Sequence, residues 1–106
     1  MNFKSLERIR RRLEDYRAAP ANIPSGELVK VAKSLGRRRK KKRRGEPIYI
    51  STIFPQLSPL RIPSHPGALP RYTALSVLNQ LDEDILQWEE YLGKSKTQTE
   101  KGYNNE

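Results

Sequence analysis

Residues 37–44 read Arg-Arg-Arg-Lys-Lys-Lys-Arg-Arg, eight consecutive cations closed by Gly45. On an extended chain such charges stand about 3.4 Å apart, so each repels several neighbours within a Debye length. A polyanion relieves that repulsion and gains entropy by releasing its condensed counterions. Nucleic acid is therefore the expected partner of Arg37, Arg38, Arg39, Lys40, Lys41, Lys42, Arg43 and Arg44, ahead of an anionic membrane or an acidic protein surface. A solvated basic loop and a nuclear-import tag are the plainer alternatives.

A few other side chains could act on a bound nucleic acid, were it RNA. Ribonuclease chemistry needs a base for the 2′-hydroxyl proton and cations for the phosphorane. His65, the only histidine, is the candidate catalytic base, because imidazole titrates near neutrality. In Ser64-His65-Pro66-Gly67 a histidine is more often a turn residue than a catalyst, and His65 is also expected, with Tyr49, to supply local contacts to the nucleic acid. Tyr49 could stack on a base or cover one face of a sheet. Arg71, just after the His65 loop, could touch phosphate or be an ordinary surface charge. One histidine with scattered carboxylates makes no metal-ligand spacing. Neither a Gly-rich phosphate loop nor a Ser-centred hydrolase motif is present, and no cofactor is expected.

These residues must be held by a small scaffold. The 106 residues suit one domain with tails. A hydrophobic content of 35% predicts a small core and modest stability. Residues 1–44 carry 16 basic and 4 acidic side chains and residues 45–106 carry 5 and 8, so the net +9 divides into +12 and −3. That asymmetry suits a binding face on a scaffold. The absence of cysteine excludes disulfides, thiolate metal sites and a Cys nucleophile. No apolar run approaches the ~18 residues of a membrane span, and charges at Lys4, Glu7, Arg8 and Arg10 do not suit a signal peptide. The expectation is a soluble cytoplasmic protein without a membrane partner.

Periodicity supplies the elements. Phe3, Leu6, Ile9, Leu13 and Tyr16 form one thin apolar stripe, predicting an amphipathic helix over 3–18 within an N-terminal segment 1–19 that Pro20 ends. After a linker at 20–24, Ser25 suits an N-cap. Leu28, Val31, Ala32 and Leu35 mark a second helix, with Gly36 as its terminating residue. If the basic run is a strand, it has no apolar face and fits only a sheet edge. Gly45-Glu46-Pro47 is a turn signal. Residues 47–53 are the clearest strand, with Ile48 and Ile50 on one face. Residues 60–62 make a short strand and 64–70 a loop. Tyr72, Leu75, Leu78, Leu81, Ile85 and Trp88 stripe a last helix from Arg71 to Gly93, with Tyr72 and Trp88 read as core. Asp82, Glu83, Asp84, Glu89 and Glu90 are read as its outer face, placed to pair with arginines of the first helix. Residues 94–106 are expected to be a disordered tail. The class is α+β: helix, helix, three-stranded antiparallel sheet, helix.

The stretch from Glu27 to Leu81 resembles the HicA-type (YcfA-like) toxins of bacterial toxin-antitoxin systems. Glu27-Leu28, Lys30 and Gly36 match the family's opening helix, Ile48-Tyr49-Ile50 its second strand, and Ile62-Pro63-Ser64-His65-Pro66-Gly67 its closing loop. The resemblance covers roughly half the chain. It implies a compact fold like the double-stranded-RNA-binding domain over 25–93, cleavage of messenger RNA as an endoribonuclease, and a HicB-like antitoxin partner. One departure stands out. The family's catalytic histidine follows Gly-Ser at the first turn, where this chain reads Gly45-Glu46-Pro47. Proline exchanges no proton. Glu46, held ionised beside the cations, would repel the phosphate under attack. The expected function is an RNA-binding module with impaired or lost ribonuclease activity. An active toxin using His65 or Glu46, and a basic module docking on an acidic protein, are the alternatives.

Overall fold

A computed structural model describes residues 1–40 and 47–104, the side chains of 94–104 excepted. The element order is α1 (Phe3–Ala18), α2 (Ser25–Ser34), β1 (Arg37–Lys40), β2 (Ile48–Ser51), β3 (Leu60–Arg61) and α3 (Arg71–Asn104), with a 3₁₀ turn at Pro20–Asn22. The strands form one antiparallel sheet in the order β1-β2-β3. The α+β architecture and its helix-helix-sheet-helix order are those the periodicity predicts.

Helix α1 is capped by Asn2, whose Oδ1 accepts from the Ser5 N–H at 2.8 Å. Leu6 and Leu13 are buried and Phe3 is exposed, as a thin stripe allows. Packing therefore has to hold this helix in place, and α3 provides it. Arg10 pairs with Glu89, and Arg17 with Asp82, as the charge pattern anticipates. The Tyr16 hydroxyl donates to Glu27 Oε2 at 3.2 Å. Burial, and then the Glu27 carboxylate, push the Tyr16 phenol above its ordinary range.

Helix α2 buries Leu28, Val31, Ala32 and Leu35, as its spacing requires. Its cap position is Pro24 rather than Ser25, which begins the helix and makes no capping bond. Gly36 ends the turn at φ +94°, where a side chain is strained. A Cβ there would also lie 2.7 Å from Ile53 Cδ1. Gly36→Ala is accordingly expected to lower stability by about 1–2 kcal/mol, read as an earlier urea midpoint with an unchanged m-value.

β2 is shorter than expected and sets the polarity of the sheet. Its register pairs Arg37 with Ser51, Arg39 with Tyr49, and Tyr49 with Leu60, so these residues share one face. Tyr49 and Leu60 enter the core beneath α3. Ile48 and Ile50 lie on the opposite face. After Ser51, whose Oγ accepts from the Phe54 N–H at 2.9 Å, the chain turns. Phe54 meets the Trp88 ring edge-to-face at 5.0 Å, a favourable aromatic geometry.

Three sequence expectations for α3 are corrected. Tyr72 is 89% exposed rather than core, because the buried face of α3 runs through Ala74, Val77, Leu78 and Leu81 and Tyr72 lies about 200° around the helix from Ala74. Asp84 is fully buried rather than outward-facing. Gly93 does not end the helix, which continues to Asn104 where a disordered tail was expected; residues 105–106 lie outside the described residues. No helix among the described residues is long and apolar enough to cross a membrane.

Candidate nucleic-acid interface

The first cation of the basic run is not on the surface. Arg37 is 2% exposed. Its Nε donates to Asp84 Oδ2 at 2.7 Å and its Nη2 to Asp84 Oδ1 at 2.8 Å. Its Nη1 donates to the backbone oxygens of Tyr49 at 2.9 Å and Ser58 at 3.0 Å. A guanidinium forked onto one carboxylate and two carbonyls is satisfied where it sits. Burial pushes the Asp84 carboxyl above its ordinary value, against the opposing pull of the Arg37 hydrogen bonds and charge. Arg37 is therefore removed from the set expected to meet nucleic acid. It holds β1 to α3 and to the chain entering β3.

The next residues take the surface role. β1 is an edge strand, as a run without apolar residues demands, and Arg38, Arg39 and Lys40 are exposed. Strand alternation turns Arg38 and Lys40 to the face opposite Arg37. There the register sets Lys40 beside Ile48 and Ile48 beside Arg61, while Arg38 lies beside Ile50. The result is a sheet face with cations on both edge strands and isoleucine between them. Arg38, Lys40 and Arg61 have no acidic partner among the described residues. Arg39 shares the parity of Arg37 and stands at the open end of the inner face. Lys41, Lys42, Arg43 and Arg44, with the Gly45-Glu46 turn, lie outside the described residues.

Arg61 was not among the residues singled out from sequence. Its signal was available, since an arginine between Leu60 and Ile62 must face away from the core if both neighbours face toward it.

The remaining candidates do not converge on one centre. Tyr49 is 5% exposed and belongs to the core, so it cannot stack on a base. His65 and Arg71 are exposed. His65 sits in a loop that turns at Gly67, φ +81°. That loop is fastened to the α1–α2 linker by the Leu69 N–H donating to Ile23 O at 2.9 Å and by the Pro24–Ala68 bridge. No acid or base is brought against the imidazole among the described residues, and no group of three or more potential metal ligands forms there. The chemistry available at this surface is polyanion binding by cations with aliphatic contact between them. Against family models, curated proteins and solved structures the chain shows no match.

Proposed function

We propose that this chain is an RNA-binding module of HicA-like ancestry in which endoribonuclease activity is impaired or lost. The observation that carries the reading is the row of cations without an acidic partner among the described residues, Arg38 and Lys40 on one edge strand and Arg61 on the other, across a sheet face with isoleucines at its centre. Phosphates would lie along the two charged margins, and ribose or base edges over the half-buried Ile50, Ile48 itself being buried. The four further cations at 41–44 continue the same charge in sequence. Pro47 at the position of the family's catalytic histidine, and a His65 without a neighbouring proton acceptor, argue against efficient cleavage. The HicA-like ancestry carries a cytoplasmic localisation into the proposal. The same ancestry brings a HicB-like antitoxin into the proposal.

The test is binding and cleavage measured together on one RNA. If about six phosphates are neutralised, affinity should fall roughly a thousandfold between 50 and 200 mM salt. A flat salt response removes the proposal. His65→Ala should leave binding nearly unchanged. RNA cleavage by the wild type that disappears in His65→Ala would instead make the protein an active toxin.

A further inference from the structure

We infer that RNA bound at the β1 face continues into a second basic site, a groove between α1 and the end of α2; the inference rests on the RNA-binding reading. The groove has a volume of about 550 Å³, within the range of functional ligand sites. Arg8 and Arg12 line it from α1 and Lys33 from α2, with Ile9, Ile53 and Trp88 supplying its apolar surface. Arg8 and Arg12 are four residues apart, so they project from the same side of α1. All three cations are exposed, and none has an ion-pair partner among the described residues. No acidic residue lines the groove. By contrast Arg10 and Arg17, on the side of α1 facing α3, are both paired. Helix α1 therefore spends some arginines on the fold and leaves others facing an empty cleft.

Two observations favour RNA as the occupant. Gly36 lines the groove and is followed directly by β1, so the cleft opens where the basic strand begins. A polyanion lying along Arg38 and Lys40 meets more positive charge at that end instead of bare surface. The groove also combines cations with exposed hydrocarbon, Ile53 being 45% exposed. Single-stranded RNA answers both, with phosphates for Arg8, Arg12 and Lys33 and unstacked bases for the apolar wall. The groove is open, which suits a polymer passing through it.

Trp88, the single tryptophan, reports on occupancy. Its indole N–H is fixed on Leu35 O at 2.8 Å, and the residue lines the groove. Titrating the full chain with a mixed-sequence single-stranded RNA oligonucleotide should change Trp88 emission saturably. In R8Q/R12Q/K33Q that change should vanish, and the salt slope should fall by about two, near 0.7 for each cation on a single strand. These side chains are exposed, so the variant should keep the wild-type thermal transition. RNA binding with unaltered Trp88 emission and a wild-type slope in the variant overturns the groove while leaving the β1 face intact. Absence of RNA binding by the wild type overturns both readings. A Trp88 response to polyglutamate but not to RNA also overturns the inference, in favour of an acidic protein partner.

Discussion

Replacing Arg37 with alanine is expected to lower the free energy of unfolding by about 3–5 kcal/mol, the cost of leaving a buried carboxylate without its cation. Asp84→Ala should cost a similar amount, because it strands the guanidinium. Each partner is at most 2% exposed, and the pair is bidentate, so water can replace neither side. A small domain has about 5–15 kcal/mol in total, and this one has little core. Either single variant should be substantially unfolded at room temperature by far-ultraviolet circular dichroism. The double replacement Arg37→Met with Asp84→Leu should recover most of the loss, since apolar residues of similar volume often replace a buried ion pair without penalty. Recovery would be incomplete, because the Tyr49 and Ser58 carbonyls lose their donor. Single variants as stable as wild type would mean that the pair is not buried in solution.

That result determines how the RNA-binding proposal has to be tested. Changing all eight residues of 37–44 to glutamine would abolish binding whether or not the run touches RNA, because the Arg37 substitution would unfold the domain. Changing only 38–44 spares the buried pair. This seven-site variant is expected to fold as the wild type does and to lose nearly all affinity for RNA at low salt. Its salt slope on single-stranded RNA should fall by about 0.7 for each phosphate contact removed, leaving what Arg61 and the α1 groove supply. The measurement is a salt titration of binding on both proteins after matched thermal melts. Equal slopes would show that the run contacts no phosphate and would leave the fold without this function.

The outline of the domain was legible because local chemistry dictates it. The spacing from Leu28 to Leu35 and the glycine at 36 specify a helix and its end with no tertiary information. A run without apolar residues can be a strand only at an edge, and its described part, Arg37–Lys40, is an edge strand. The Arg10–Glu89 and Arg17–Asp82 pairs followed from a basic helix and an acidic helix sharing a small body. Other features depended on partners distant in sequence. Arg37 and its seven neighbours are alike in chemistry. Only the register of β1 and a carboxylate 47 residues away distinguish the buried Arg37 from the exposed Arg38, Arg39 and Lys40. Asp84 was indistinguishable from the acids around it for the same reason. Tyr49 and Ile48 are both suited to burial, so composition could not say which face of β2 meets α3. The α1 groove is assembled from α1, the end of α2, the chain after β2 and α3, and no single stretch of sequence announces it.

The placement of the charges on β1 also bears on self-association. A three-stranded sheet has two margins. One is β3, only two residues long and flanked by Pro59 and Pro63. The other is β1, whose unpaired backbone groups are guarded by like-charged side chains, a device that keeps sheets from polymerising margin to margin. The free protein is thereby protected from association margin to margin, and an RNA bound as proposed would cancel that charge and lift the protection.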